Sequence, residues 1–380
     1  MMQRQANAVL VVLVAGLALC AGCESASDAK KNDPGQTDAD TDADSDADAD
    51  ADSDADGDSD SDTNEEIIPD CSGCPGVGTT LEHLRCAIDL CDDAVLLSHE
   101  YASLTAVNQV KIDKSRAGVT RFGDMSNELA PLLGDSYALM ASGFAVPSSP
   151  PDNYDHNQIL SGTLLQPDGP GVVDSFAPSE IYKAYDAMEW RLHLKAPETA
   201  HGFRVHYVFF SVEYDEYVGN AFNDKFYVFL EAQSTNGGAR TVINFTECRP
   251  NIDQPDFACP ADLPWCEEGE EYCYIAINSA LSECCWYDGC TTMDQNTDIS
   301  GTGFECGTAD VDYVGDYSMG FTYGSSTGWL YTEWPVEPGE EFDLIFHIHD
   351  TADAILDSEV ILDKFVFLQS ADAGTGPVVE

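Results

Sequence analysis

Basic residues are scarce in this chain. It has 380 residues, but only 16 are lysine or arginine against 69 aspartates and glutamates, and the formal net charge is -53. Proteins that bind nucleic acid need clustered lysine and arginine to contact the phosphates, so this composition excludes nucleic acid as a partner. It also makes other polyanions poor partners and is typical of a protein exposed to a salty exterior.

Long apolar runs are scarce as well. Residues 8–20 form an apolar run behind Arg4 that has the length of a signal-peptide core and is too short for a confident membrane span. We therefore predict an exported protein with a lipoprotein signal peptide over residues 1–22.

The end of this run resembles a lipobox, the motif at which a signal peptide is cleaved before a lipidated cysteine. Its sequence is Leu19-Cys20-Ala21-Gly22-Cys23, which predicts Cys23 as the lipidation site. Acyl chains there would hold the chain on a membrane, at about 0.8 kcal/mol for each buried methylene. The next residue is Glu24 rather than aspartate, so we expect the outer membrane or the cell surface.

Familiar catalytic motifs are not evident. We find no P-loop, HExxH zinc motif or dinucleotide fingerprint. Residues 324–328 contain serines between two glycines, but we interpret them as lacking the spacing of the G-x-S-x-G motif of serine nucleophiles. The sequence therefore predicts no catalytic residue. A calcium-dependent polysaccharide hydrolase is the alternative to a binding protein, and a purely architectural envelope component is the third possibility.

An aspartate tract follows the predicted anchor. Aspartate occupies every even position from 38 to 62, 13 in succession, and no apolar residue between them is larger than alanine. Dense like charge without a possible core leaves the entropic cost of ordering without compensation. We predict that residues 23–69 are a lipid anchor and a disordered, extended stalk.

The 14 cysteines include Cys20 and Cys23, and the other 12 fall into two even groups. In an exported protein such groups predict disulfides rather than zinc ligands, but the sequence leaves the pairing open. The second group lies in residues 247–310, which we predict to be a disulfide-rich insertion that either recognises a ligand or only resists proteases. The 12 cysteines are Cys71, Cys74, Cys86, Cys91, Cys248, Cys259, Cys266, Cys273, Cys284, Cys285, Cys290 and Cys306.

Apolar periodicity predicts the fold of residues 70–370. A capping-box pattern, Thr79-x-x-Glu82, precedes a short apolar stretch with helical spacing. Beyond it apolar and polar residues alternate with period two, for example over residues 190–195, 203–209 and 342–348. We predict an all-β fold, an antiparallel β-sandwich resembling a jelly roll, with one short N-terminal helix and a flexible tail over residues 371–380.

One strand and the loop after it have a pattern typical of a known bacterial family. The residues are Tyr207, Val208, Phe209, Ser211, Glu213, Tyr214, Glu216 and Tyr217, followed by Phe222, Asn223 and Asp224. This pattern resembles the choice-of-anchor L domain, a bacterial extracellular module, and weaker likeness extends over most of residues 77–370. The resemblance implies a β-sandwich displayed outside the cell, and it implies no defined biochemical activity.

Two acidic loops supply the candidate metal ligands. Calcium is bound by six to eight oxygen atoms, and carboxylates of two loops that meet at one end of a sandwich could provide them. The alternative is that these carboxylates accept hydrogen bonds from nearby backbone amides. The six candidate residues are Glu213, Glu216, Asp224, Asp350, Asp353 and Asp357.

Two histidines lie beside the second loop. His347 and His349 occupy alternate positions of a predicted strand, so they share one face and could suggest a transition-metal site. That face is opposite the apolar residues Leu344, Phe346 and Ile348, and we therefore expect both histidines to face solvent.

The sequence taken as a whole predicts a cell-surface lipoprotein. Its β-sandwich would act as a binding, adhesion or structural module that calcium could stabilise. The expected partners are a membrane, contacted through the lipid anchor, and a surface glycan or protein.

Overall fold

Strands dominate the described part of the chain. The structure is a computed structural model, and it describes residues 65–105, 109–122, 129–145, 171–176, 183–211, 213, 217–219, 221–249, 252, 255–261, 266–281, 325–352 and 358–378. The signal peptide, Cys23, the aspartate stalk and four of the cysteines (Cys284, Cys285, Cys290 and Cys306) lie outside these residues. Within them, no helix is long and apolar enough to cross a membrane.

Seventeen strands and three short helices are found in the described residues. The strands are β1 (Glu66–Ile67), β2 (Leu96–Ser103), β3 (Arg116–Val119), β4 (Tyr137–Ala141), β5 (Val172–Val173), β6 (Lys183–Lys195), β7 (Gly202–Ser211), β8 (Lys225–Glu231), β9 (Thr241–Val242), β10 (Phe245–Glu247), β11 (Phe257–Ala258), β12 (Glu271–Ala276), β13 (Ser325–Ser326), β14 (Leu330–Pro335), β15 (Glu341–Thr351), β16 (Ser358–Leu368) and β17 (Gly374–Pro377). The helices are α1 (Leu81–Ala87), α2 (Gln109–Lys114) and α3 (Gln233–Asn236).

The strands form two antiparallel sheets, which confirms the predicted fold class. An eight-stranded sheet has the order β17-β14-β7-β16-β4-β3, with β1 beside β16 and β13 beside β7. A nine-stranded sheet has the order β10-β12-β8-β15-β6-β2, with β11, β5 and β9 paired to β12, β6 and β8. The chain passes between the two sheets several times, including from β7 to β8 and from β15 to β16.

Large side chains fill the space between the sheets. Alternate residues of the long strands point inward because successive side chains of a strand lie on opposite faces. Trp190, Phe203, Tyr207, Phe226 and Phe346 are all buried in this core. Their rings lie close together, with Phe203 stacked on Phe342 and Tyr207 next to Phe226 at centroid distances of 5.5 and 5.1 Å. The period-two pattern thus correctly predicted the inner face.

The eight-stranded sheet is also covered on its other side. Val208 and Phe210 of β7 belong to a second apolar cluster together with Phe122, Tyr137 and Ile361. Because this cluster buries the outer residues as well, β7 is buried along almost its whole length rather than alternately. A strand covered on both faces has a nearly continuous apolar sequence, as is seen in residues 207–210.

The predicted N-terminal helix is present, but its cap is one residue later than expected. Helix α1 begins at Leu81, and the side chain of Thr80 accepts a hydrogen bond from the amide of His83. Thr79, which the capping-box pattern indicated, lies outside the cap. Leu84 and Ile88 are buried against the sandwich core, as their helical spacing predicted.

Four disulfides stabilise the described residues. Cys71 is bonded to Cys91 and Cys74 to Cys86, and both bonds lie beside α1. In the second group Cys248 is bonded to Cys273 and Cys259 to Cys266. The prediction of disulfides within each group is confirmed for these eight cysteines.

Two segments lie in the sheets although the sequence indicated none there. Strand β12, in the stretch predicted to be an insertion, pairs with β8 and so extends the nine-stranded sheet. Strand β17, in the predicted flexible tail, pairs with β14 over residues 374–377. Both segments join their sheets through backbone hydrogen bonds, which a side-chain pattern does not reveal.

Candidate functional site

Two inter-sheet crossings, from β7 to β8 and from β15 to β16, lie at the same end of the sandwich. Ser211 at the end of β7 pairs with Ser358 at the start of β16 in one sheet. In the other sheet, Lys225 at the start of β8 pairs with His349 near the end of β15. The two acidic loops of the sequence therefore leave and enter the sheets side by side, as the metal-site prediction required.

Asp224 connects the two crossings through hydrogen bonds. Its Oδ1 atom accepts a hydrogen bond from the amide of Thr351 at 2.8 Å, and its Oδ2 atom accepts one from the Ser358 hydroxyl at 2.8 Å. The amide of Asp224 in turn donates to Glu213 Oε2 at 3.1 Å. One side chain thus ties the end of β15, the start of β16 and the start of β8 together.

The carboxyl group of Asp224 is wholly buried close to a second carboxylate. Burial, followed by repulsion from Glu213, raises the pKa of Asp224 well above its usual range, although the Thr351 amide and the Ser358 hydroxyl act in the opposite direction. A buried carboxylate pair avoids this repulsion either by retaining a proton or by binding a cation. The pair is therefore the most chemically specific feature of this end of the sandwich.

The predicted calcium ligands are only partly within the described residues. Glu213, Asp224 and Asp350 are all buried at this end, whereas Glu216, Asp353 and Asp357 lie outside the described residues. The contacts of Asp224 agree with the alternative in which carboxylates accept hydrogen bonds from turn amides, so calcium binding stays a prediction.

A group of three metal-type side chains with mutually close ligand atoms does occur elsewhere. In the described residues, only Cys71, Cys74 and Cys91 have such atoms within 4.8 Å of one another. These sulfurs are already bonded in the two disulfides beside α1. Proximity here reflects neighbouring disulfides rather than a metal centre.

His347 and His349 are buried, so the expectation that they face solvent is wrong. His347 Nε2 lies 2.9 Å from His349 Nδ1, and His347 Nδ1 lies 3.1 Å from Glu189. His349 Nε2 is 3.4 Å from Asp174, which also accepts a 2.7 Å hydrogen bond from the Tyr227 hydroxyl. Asp174 and Phe176 contact this outer face of the sheet, at His349, Tyr227 and Phe229. Strand periodicity alone does not predict such a cover.

Proton counting defines two states of this histidine pair. Ionised Glu189 and Asp174 only accept hydrogen bonds, so His347 Nδ1 and His349 Nε2, which face them, must each carry a proton. A third proton is needed between His347 Nε2 and His349 Nδ1 for the two rings to form a hydrogen bond. Three protons on two imidazoles make one positive charge. Burial lowers the pKa of His349, while the facing Asp174 acts in the opposite direction. The three-proton state makes every contact, whereas the neutral pair has one contact without a proton.

The serine motif needs a correction as well. Residues 324–328 are Gly-Ser-Ser-Thr-Gly and do have G-x-S-x-G spacing, so the spacing argument against them is wrong. The motif's working context is a strand, a sharp turn and a helix. Ser326 instead ends β13 and is followed by strand β14, and its buried hydroxyl accepts a hydrogen bond from the amide of Gly328.

Comparisons with family models, with curated proteins and with solved structures found no match for this chain.

Proposed function

We propose that this chain is a lipid-anchored surface protein whose β-sandwich acts as a binding or adhesion module. The two-sheet fold supports the proposal of a binding module. The predicted export signal, the lipobox with Cys23 and the aspartate tract support the proposal that this module is displayed on a stalk. The resemblance to the choice-of-anchor L domain agrees with this proposal. The proposed ligand is a glycan or protein outside the cell.

The observation that carries the proposal is the tie that Asp224 makes between the two inter-sheet crossings. Binding proteins commonly present variable loops on a rigid scaffold, and the loops at one end of a β-sandwich are the usual place. Hydrogen bonds from Thr351 and Ser358 to one buried side chain hold both loop bases in place. A scaffold so constrained loses little entropy when its loops contact a ligand.

Calcium is the ion that we propose for this end of the sandwich. Glu213, Asp224 and Asp350 would supply carboxylate oxygens, which are the ligands that calcium prefers. A bound cation would remove the repulsion between Glu213 and Asp224 and would replace the proton that the pair otherwise retains. Calcium would then stabilise the loop bases rather than take part in a reaction.

Thermal melting in calcium and in chelator tests this part of the proposal. Calcium should raise the unfolding temperature of the full-length protein at neutral pH, and magnesium at equal concentration should raise it less. Asp224→Asn, which keeps the size and a hydrogen-bond acceptor, should abolish the calcium response. Equal melting of the wild-type protein in calcium and in chelator would contradict the site.

Cell fractionation tests the display. We expect wild-type protein in the outer-membrane fraction, accessible to added protease on intact cells, and Cys23→Ser protein in the soluble exported fraction. The matched control is Cys20→Ser, which changes the other cysteine of the lipobox and should leave lipidation in place. Unchanged membrane association of Cys23→Ser would refute the anchor.

A further inference from the structure

A groove with apolar walls and acidic groups lies beside α1, apart from the Asp224 end of the sandwich. It has a volume of about 530 Å³, and we call it the Asp89 groove. Its walls include Ile67, Leu90, Val95, Phe365 and Phe367, and Asp89 is one of four aspartates that line it. A volume of this size is typical of sites for small molecules or single side chains, which usually combine apolar walls with a few polar groups.

Asp89 occupies a position at which helices usually have glycine. The amide of Asp89 donates to Cys86 O at 3.1 Å, and the amide of Leu90 donates to Arg85 O at 2.9 Å. These two bonds form a Schellman motif, with Asp89 as the residue that must adopt the left-handed conformation, here with φ of 62°. Glycine would satisfy this backbone without strain, so helix capping alone does not explain an aspartate.

The side chain of Asp89 has bonding capacity left over. Asp89 is only 5% exposed, and its Oδ2 atom makes no hydrogen bond within the described part of the chain. A buried carboxylate oxygen without a donor is costly, and native proteins seldom keep one without a reason. The other oxygen, Oδ1, lies against Gly134, where a Cβ atom would be 2.9 Å from it.

The charges around Asp89 do not neutralise it. Burial raises the pKa of Asp89 to about 6, although the amide and the charge of Lys364 act in the opposite direction. The Lys364 ammonium is itself 3.0 Å from Glu66, and Arg85 is paired with Glu82 and with Asp93.

A second buried carboxyl group, that of Asp363, lies near Asp89. The pKa of Asp363 is raised to about 8, mainly by burial and also by Asp89. Its Oδ2 and Oδ1 atoms accept hydrogen bonds from the amides of Leu132 and Lys364, so Asp363 is held in place by the backbone. The base of the groove is thus acidic, and among the described residues the nearby cations Lys364 and Arg85 are paired with other carboxylates.

We propose that the Asp89 groove binds an organic cation, with an ammonium or guanidinium group against Asp89 Oδ2 and an apolar body against Ile67, Val95 and Phe367. This is a second binding site, beyond the function proposed above. The cation could belong to a free amine or to a basic side chain of a protein. In either case it would supply the hydrogen bonds and the charge that Asp89 lacks.

A metal ion fits this groove less well. The other aspartates use oxygens in local turns, because Asp92 accepts from the amide of Ala94 and Asp70 from the amide of Ser72. Calcium needs six to eight oxygens, and the walls are apolar. An organic cation uses the apolar walls and needs only one buried carboxylate.

The chain itself has few cations to place there. Every lysine and arginine lies in the described residues except Arg4, Lys30 and Lys31. These three belong to the predicted signal peptide and to the start of the stalk. A cation from another molecule is therefore the occupant that charge complementarity favours.

The test compares a cation with its neutral counterpart. The purified full-length protein is titrated calorimetrically with phenethylamine and with 2-phenylethanol. The two compounds share the phenyl ring and differ in that the first has an ammonium group and the second a neutral hydroxyl. We expect the amine to bind at least tenfold more tightly at pH 7.5. Asp89→Asn keeps a residue that tolerates the left-handed conformation and should remove this difference. Asp113→Asn, the same change at an exposed ion pair with Arg116, is the control and should retain it.

The pH dependence gives a second, independent measure. Phenethylamine stays protonated from pH 5 to 7, and this range lies below the pKa of about 8 of Asp363, so affinity should rise with pH as Asp89 ionises around 6. Asp89→Asn should show no such rise. Equal affinity for amine and alcohol in the wild-type protein, or the same amine affinity in Asp89→Asn, would overturn the proposal.

Two blocked peptides distinguish the sources of the cation. Acetyl-Leu-Lys-Leu-amide is compared with acetyl-Leu-Gln-Leu-amide in the same titration. Tighter binding of the lysine peptide than of phenethylamine would identify a basic side chain of a protein as the ligand, and the reverse order would identify a free amine. The calcium response at the Asp224 end should be the same in Asp89→Asn, so failure of one proposal leaves the other testable.

Discussion

Asp89 and Asp224 are both buried aspartates with a raised pKa, but their oxygens have different partners. Asp224 accepts hydrogen bonds at both oxygens, from Thr351 and Ser358. Asp89 Oδ2 accepts none within the described residues. Donors of the fold reach both oxygens of Asp224 and so hold its carboxylate in place, whereas Asp89 Oδ2 is left for a donor from another molecule. Hydrogen-bond partners therefore distinguish these two aspartates where burial alone does not.

Their positions explain the difference. Asp224 lies where two chain crossings meet, so donors reach it from separate strands. Asp89 ends a helix, and its backbone forms the Schellman bonds while its side chain lines the groove. Four changes of aspartate would break or sharpen this comparison, and they follow from the largest expected effect to the smallest.

Asp224→Ala should give the largest loss. The change leaves the Thr351 amide and the Ser358 hydroxyl buried without an acceptor and opens a small cavity. We expect a loss of about 3 kcal/mol in the free energy of unfolding, measured by urea denaturation without calcium. Asp224→Asn, which keeps one acceptor, should lose less. A wild-type midpoint for Asp224→Ala would show that the tie between the crossings is dispensable.

Asp174→Asn should cost less, about 2 kcal/mol at neutral pH. Burial raises the pKa of Asp174, but the facing His349 and the hydrogen bond from the Tyr227 hydroxyl outweigh burial and lower it. A lowered pKa stabilises the folded state above the unfolded value and loses that effect as the pH falls. The advantage of wild type over Asp174→Asn should therefore shrink below about pH 4. Urea denaturation from pH 3 to 7 measures it, and a gap independent of pH would contradict the pairing.

Asp89→Asn should have an opposite pH dependence. Its raised pKa means that Asp89 stabilises the fold most below the unfolded value of about 4 and that this contribution is lost as the pH rises through 6. Relative to Asp89→Asn, wild type should therefore lose on the order of 2 kcal/mol between pH 4 and 7.5. Parallel denaturation curves for the two proteins across this range would argue that Asp89 is already paired.

Asp113→Asn should have the smallest effect. Asp113 is more than half exposed and pairs with Arg116 at 3.1 Å within one turn of chain. Exposed pairs of this kind typically contribute under about 1 kcal/mol. We expect unfolding curves within error of wild type at all pH values. A clear loss would show that exposure is a poor guide to the effect of aspartates in this protein, and the ranking above would lose its basis.

The sequence predicted the fold well because its strands are long and their inner faces apolar. Alternation in β6, β7 and β15 identified the two-sheet sandwich, and Leu84 with Ile88 identified the helix. It predicted less well where a second layer covers a sheet. His347 and His349 looked like surface residues because periodicity shows only that a residue lies opposite the core, and the segment of Asp174 that covers them is distant in the chain.

The candidate sites show the same division. Glu213, Asp224 and Asp350 were recognisable as carboxylates in two loops, and the sheet topology brought them to one end. Asp89 had no signal in the sequence, since an aspartate after a helix is ordinary. The groove in which its Oδ2 atom is buried is walled by Phe365, Phe367 and Ile67, which come from both ends of the domain.

The sequence by itself determined that this is an acidic chain with an aspartate tract, cysteines in even groups and an all-β fold. The export signal and the lipobox stay predictions. These properties depend on composition and on local patterns, which can be recognised without knowing which residues come together in the fold. Only the tertiary structure decided which carboxylates are satisfied and which are not. Donors and walls come from residues far apart in the chain, and hydrogen bonds form only where the fold brings them within about 3 Å of an acceptor.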